Sequence, residues 1–285
     1  MSLAHVKWRE LLARFGLLLA FIVMVIVLSL VSDRFLTTSN IINVLRQISV
    51  NAIIAFGMTF VIIGAGIDLS VGSMLALVGV IAAMLATTTN IPVLLVLLIA
   101  IAIGGGLGLL NGLVVGYAGV APFIVTLAGL TIYRGMTLVL TDGKPISGLP
   151  PLFTKLGYGT FLGLPMPVWI MLGVLLISYV ILRHTPIGRA IYAVGGNPEA
   201  ARLSGIPVRR ILTFTYVYSG LAVAIAAMVL TGRLNSAQPT AGASFELDAI
   251  AAVVVGGTSL AGGRGTVWGT LIGALIIGVI NNGMN

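Results

Sequence analysis

Residues 183–210 read RHTPIGRAIYAVGGNPEAARLSGIPVRR, and they set the topology of the runs on either side. Arg183, Arg189, Arg202, Arg209 and Arg210 face one carboxylate, Glu199. A bilayer core rejects such a segment, because each arginine at a helix centre costs roughly 2.5–3.5 kcal/mol on insertion scales. It therefore sits in water, and its arginine excess places that water on the cytoplasmic side. Within it, Asn197-Pro198-Glu199 carries the signs of a helix start: a capping amide, a proline in the first turn and a carboxylate at the positive dipole end. Gly205 followed by Pro207 marks the stop. A short helix is expected over Pro198–Ser204, outside the membrane. Taken alone, it is either part of an ordinary basic loop or a docking helix for a cytoplasmic partner.

The composition fits this placement. Of 285 residues, 59% are hydrophobic and 8% charged, whereas a soluble domain carries about 25% charged residues. The apolar runs are continuous rather than alternating, which predicts an all-α, polytopic transmembrane bundle and not a barrel. The formal charge of +8 is explained by the positive-inside bias and anionic membrane lipid, without nucleic acid. With no cysteine, disulfides, thiolate metal sites and cysteine nucleophiles are excluded. His5 and His184 lie beside basic segments, away from any zinc-protease pattern. Lys7, Arg9 and Arg14 precede the run Phe15–Val31, which is longer than a typical signal core. That run is expected to be a retained first span, with the N-terminus in the cytoplasm.

Working outward, further apolar runs are expected at Asn51–Gly64, Ser70–Ala86, Val93–Tyr117, Pro122–Leu140 and Met166–Leu182 before the arginine loop. After it come Ile211–Thr231, a short piece Ala249–Val255 and a last run Val267–Ile280. Six runs separate the N-terminus from the loop, so both face the same side, and both are basic. Counting puts GAGIDLSVG (64–72) on that side too, yet it has no Lys or Arg. It is alternatively a break inside the membrane lining a cavity. Gly104, Gly108, Gly112 and Gly116, and again Gly265, Gly269 and Gly273, recur every fourth residue and predict bare strips for close helix packing.

No catalytic constellation or nucleotide-binding loop is present; Gly143-Lys144 is followed by Pro145. The chain is thus expected to be no enzyme and to hold no cofactor. Polar residues within apolar runs are the functional candidates. Asp68 either caps the helix starting near Leu69 or lines a water-filled path. Asn51 and Asn111 bond either a polyhydroxyl solute or a neighbouring helix. Arg134 lies within about two turns of Thr141 and is expected to snorkel outward, in a structural role rather than as a gate. Glu246 and Asp248 precede a piece too short to span and are expected to open a re-entrant helix. So few ionisable groups suit a neutral hydrophilic solute and argue against proton relays.

Three strings, GIDLSVGSMLAL (66–77), HTPIGRAIYAVGGNPEAARLSGIPV (184–208) and SAQPTAGASFELDAIAAVVVGGTSLAGGRGTVWGTLIGALIIGVINNGMN (236–285), resemble the ribose-type monosaccharide permeases of bacterial ABC importers. The resemblance runs from about Phe35 to the end. It implies one transmembrane domain over residues 1–285 of about 8–10 membrane segments, in the bacterial inner membrane. It implies a second permease copy, in a homodimer, a cytoplasmic ABC ATPase that carries ATP and Mg, and an extracytoplasmic sugar-binding protein. It implies that Glu199-Ala200-Ala201 with Gly205, flanked by Pro198 and including Leu203, is the ATPase-coupling loop. Members usually continue through one more hydrophobic helix past NNGMN, so a missing last helix is expected here. An ion-coupled secondary transporter or channel for a small neutral solute is the alternative.

Overall fold

IINVLRQI (41–48) and the apolar run after it form one helix, not two segments. In the computed structural model, which describes residues 3–283, Thr37 opens this helix by accepting the Asn40 N–H. The side chains of residues 3–15 and 17, the basic cluster Lys7, Arg9 and Arg14 and His5 among them, lie outside the description.

The helices in chain order are α1 (Leu3–Val31), α2 (Thr38–Ile63), α3 (Val71–Thr88), α4 (Val93–Gly116), α5 (Pro122–Thr141), α6 (Pro151–Tyr158), α7 (Met166–His184), α8 (Pro186–Gly196), α9 (Pro198–Leu203), α10 (Val208–Leu234), α11 (Phe245–Val255) and α12 (Val267–Gly283). Among the described residues, six of these, α2, α3, α4, α5, α7 and α10, are long and apolar enough to cross a membrane. Residues 18–31 of α1 and all of α12 are shorter apolar helices. The chain is a polytopic helical bundle. Two-residue strands add small clasps: β1 (Ile146–Ser147) pairs antiparallel with β4 (Ser236–Ala237), and β2 (Thr160–Phe161) with β3 (Leu164–Pro165).

From Ile48 to Ile63 every residue of α2 is buried, and α10 is buried along most of its length. These two helices and α3 form the centre. The others turn apolar side chains outward, such as Leu94 and Leu98 on α4, Ile124 and Ile132 on α5, and Leu176 and Ile177 on α7. Outward apolar faces are what hydrocarbon accepts, since each helix has already satisfied its own backbone.

The glycines of α4 lie against the backbone of α10. Added methyl groups at Gly104, Gly108 and Gly116 would meet the carbonyls of Gly220, Tyr216 and Arg209, and one at Gly112 would meet the Thr213 backbone. On α12, Gly269 and Gly273 take the same position against Gly256 and Ala252 of α11. Gly265 departs from this pattern. It lies in the loop before α12, where its carbonyl accepts the Tyr192 hydroxyl at 2.8 Å.

Two ends of the bundle can be told apart by contacts. At one, α8 lies under the last carbonyl of α2, and the Gly263 N–H donates to Ile63 O at 2.9 Å. The break between α2 and α3 (64–70), the α4–α5 turn and the start of α10 gather around Pro198 there. This is the arginine end, and Arg264 joins it. At the opposite end α6 packs on the last turn of α10, with Gly157 against Gly232 and Arg233, and Asn40 exchanges hydrogen bonds with Asn282 at 3.0 Å. The segment 141–165 between α5 and α7 thus contains a helix, α6, that closes that end.

Candidate functional site

The first candidate site is the arginine loop. It is more structured than a single stub. Thr185 caps α8 by accepting the Gly188 N–H at 3.1 Å. α8 buries Gly188, Ile191, Val194 and Gly195, a one-sided pattern that fastens it to the bundle. Any side chain at Gly195 would drive into the Ile63 carbonyl. α9 then starts where expected: Asn197 Oδ1 accepts the Ala200 N–H at 2.9 Å, and Pro198 holds the first position. It ends before Gly205, whose φ of +81° favours glycine.

Only Ala201 of α9 is buried. Pro198, Glu199, Ala200 and Arg202 are exposed, and Leu203 is 75% exposed. Arg202 Nε donates to Glu199 Oε2 at 3.0 Å, so the carboxylate is bound by its own helix. That bond, with the guanidinium charge, holds the Glu199 carboxyl below the usual carboxylate range. What remains is a short rigid knob with an apolar tip, standing out of the arginine end.

The second candidate site lies within the bundle, where two helices begin. The chain leaves α2 at Gly64, and Asp68 is fully buried. Its Oδ1 accepts the Ser70 N–H at 3.0 Å and the Ser70 hydroxyl at 2.6 Å, a turn that orients the start of α3. The helix begins at Val71, later than the expected Leu69, and Asp68 acts through Ser70 rather than as the cap itself. Ser219 of α10 donates to Asp68 Oδ2 at 3.3 Å. Asn111 of α4 donates to Ser70 Oγ at 3.0 Å and accepts from the Tyr133 hydroxyl at 3.0 Å. Ser219 is eleven residues into α10, which places this network ~16 Å from the arginine end of that helix.

The other start is α11. After β4, the chain passes Leu75 and Ala76 on its way down α3 until Gly242 meets Gly72 backbone to backbone. A side chain at Gly72 would strike both the Gly242 carbonyl and Glu246. Arg134 of α5 does not snorkel outward. It donates to the Pro239 carbonyl at 2.6 Å and to Ala241 O at 3.0 Å, replacing the helical partners this turn-built backbone lacks. Glu246 and Asp248 occupy the first turn of α11, which runs antiparallel to α12 toward the arginine end. Asp248 Oδ2 accepts from Asn51 at 3.4 Å and Asn281 at 3.3 Å. Among the described residues, the Asn51 side-chain oxygen is buried without a partner. The stretch 235–255 thus crosses the bundle once, first through turns and then as a helix.

The five expected path residues are therefore not brought together. Asp68 and Asn111 share one closed network; Asn51 and Asp248 share another. Glu246 belongs to neither; among the described residues its side chain makes no hydrogen bond, though its charge acts on Arg134. It is half-buried, and Ala243, Ser244 and Leu247 beside it are exposed. Thr131, one turn before Arg134 on α5, is exposed as well. Among the described residues no cluster of three His, Cys, Asp or Glu offers a metal site.

Residues 40–285 match the family model described as the branched-chain amino acid transport system / permease component. The chain belongs to this permease family. It is 53% identical to the ribose import permease protein RbsC of Haemophilus influenzae, covering 94% of this chain and 84% of that one. It is 51% identical to RbsC of Bacillus subtilis, over 99% of this chain and 88% of the relative, and 49% identical to RbsC of Escherichia coli K12, over 94% and 84%. No solved structure matches. The permease is a multi-pass inner-membrane transport subunit, and it works with a separate ATPase subunit and a substrate-binding protein.

Two parts of the site were missed from sequence. α8 looked like loop because three glycines, a proline and Arg189 interrupt its apolar residues; the spacing of Gly188, Ile191 and Gly195 at three and four residues was the available signal. Arg134 as an anchor had none, because its partners are backbone carbonyls more than 100 residues away.

Proposed function

We propose that the permease is the transmembrane pore subunit of an ATP-driven importer of ribose or a related monosaccharide, driven through α9. The carrying observation is the exposed knob Pro198–Leu203 with its outward Leu203, at the end of the bundle richest in unpaired arginine. Its shape suits insertion into a groove of the ATPase subunit, on which ATP and Mg reside. Residues 183–210 then form the cytoplasmic coupling loop of one transmembrane domain, with the N-terminus also cytoplasmic. Gly205 to Pro207 join α9 directly to α10. In turn, α10 bonds the α2–α3 break twice, through Tyr216 to Ile67 O at 3.2 Å and through Ser219 to Asp68. A push on α9 is thereby delivered to α10 and to the foot of α3.

The solute path runs along the open face that carries Ser244, Glu246 and the edge of α5. A carboxylate at that depth facing lipid costs roughly 2.5–3.5 kcal/mol, so water and a second permease copy cover it, in a homodimer. Glu246 and the serine offer hydrogen bonds to sugar hydroxyls, while Asp68, Asn111, Asn51 and Asp248 hold the walls. The sugar-binding protein docks at the opposite end, where α6 and the β1–β4 clasp lie.

The test is a reconstituted importer carrying Glu199→Ala with Gly205→Leu. Ribose uptake falls by on the order of tenfold while ATP hydrolysis and membrane insertion persist. Normal uptake in that variant, or ion-driven uptake by the permease without an ATPase, overturns the assignment.

A further inference from the structure

Beside α9, at the arginine end, a cleft of about 510 Å³ lies between α7, α8 and the start of α12. Its walls differ in chemistry. Arg183, on the last turn of α7, and Arg189, on α8, both line it and both are exposed. Among the described residues neither has a carboxylate within ion-pair distance. The lining is also aromatic. Tyr179 stands edge-on to Trp268, with ring centroids 6.1 Å apart, and Trp268 is 53% exposed. Leu182 and Val267 form an apolar floor, and the bond from Tyr192 to the Gly265 carbonyl fixes α8 against α12.

Arginine pairs recognise phosphate oxygens, because the planar guanidinium presents parallel donors. An exposed tryptophan beside an apolar floor belongs at the level of lipid headgroups, where one edge of the ring meets water and the other meets acyl chain. A soluble anion would use the arginines but has no use for Trp268 or the floor. Basic pockets between spanning helices on the cytoplasmic side match anionic lipid headgroups in charge and in depth.

We infer that this cleft binds the headgroup phosphate of an anionic phospholipid, with Arg183 and Arg189 on the phosphate and Trp268 and Leu182 against the upper acyl chain. The lipid would wedge between α7, α8 and α12 and steady the platform from which α9 projects. The inference stands independently of the solute that the pore carries.

The experiment uses the purified full-length chain in detergent, titrated with phosphatidylglycerol or phosphatidylcholine of identical acyl chains, with bound lipid counted by native mass spectrometry. Phosphatidylglycerol is expected to be retained in preference to phosphatidylcholine. Arg183→Gln with Arg189→Gln should lower that preference by on the order of tenfold, and Arg183→Lys with Arg189→Lys should retain part of it. Arg189→Gln alone, on the exposed side of α8, serves as the readout if the double variant fails to insert. Inorganic phosphate at equal concentration should leave the lipid bound. Equal retention of the two lipids, an unchanged preference in the glutamine variants, or displacement by inorganic phosphate would each overturn the inference, the last by making the cleft a site for soluble anions.

Discussion

α3 and α11 both begin inside the bundle after a non-helical stretch, and both carry a carboxylate near the start, yet the two starts are built for different work. At α3 the carboxylate of Asp68 is fully buried and accepts from three donors, the Ser70 N–H and the hydroxyls of Ser70 and Ser219. At α11 one carboxylate, Asp248, is tied to two asparagines, and the other, Glu246, is left half-open with exposed Ser244 and Leu247 beside it. A carboxylate whose bonds are all taken can only hold a shape. One that is held in place by its helix but left unbonded can meet a solute. Burial and partner count, rather than residue type, separate scaffold from path.

The comparison breaks most visibly at Asp68. Asp68→Ala strands three buried donors at about 1–3 kcal/mol for each group left unsatisfied, short of full additivity. Thermal unfolding in detergent should show a large loss, or no folded protein at all. Asp68→Asn keeps an acceptor for Ser70 and should be milder. If Asp68→Ala folds normally while uptake collapses, Asp68 belongs to the path and the division drawn here is wrong. Glu246→Gln is the counterpart. No hydrogen bond of the carboxylate is lost, only its attraction for the half-buried Arg134, so the unfolding temperature should move little. Uptake of sugar should fall by about tenfold or more, the worth of one charge-assisted hydrogen bond to a solute hydroxyl. Unchanged uptake would move the path elsewhere on the open face.

The same contrast explains how far residues alone could be read. The spans were legible because continuous apolar runs permit little else: α4, α5 and α7 begin at the expected residues Val93, Pro122 and Met166. The α9 start was legible because its signals are local, with Asn197, Pro198 and Glu199 adjacent in the chain. The grouping of Asp68 with Ser219, or of Asn51 with Asp248, was not. Those partners are 151 and 197 residues apart, and nothing near either residue announces the other. Arg134 misled for the same reason: its distance from Thr141 suggested water, while its true partners are carbonyls of a stretch that loses its helix 100 residues later. What is local in physics is legible in sequence, and what closes a network across the bundle is not.

The smallest effect expected concerns Glu199, and it extends the contrast outside the membrane. Its carboxyl is held below the usual range first by the hydrogen bond from Arg202 and then by the charge of that guanidinium. The sign follows from linkage: a carboxylate with a depressed folded-state value contributes stability above its unfolded value and loses it as pH falls through the folded value. Both side chains of the pair are exposed, so water and salt screen it and the contribution is slight. The backbone bonds Ala201 N–H to Asn197 O and Ser204 N–H to Ala200 O, each 3.0 Å, report on it. Protection of these two amides against hydrogen exchange, corrected for intrinsic rates, should be flat at neutral pH and decline only in acid. Glu199→Gln should remove that decline without unfolding α9, because the Asn197 cap and the buried Ala201 remain. An unaltered decline in the glutamine variant would assign the acid sensitivity to another group. Loss of protection at neutral pH would mean that the Glu199–Arg202 pair, rather than the cap, keeps the knob folded, and that the importer loses its coupling helix whenever a partner draws Arg202 away.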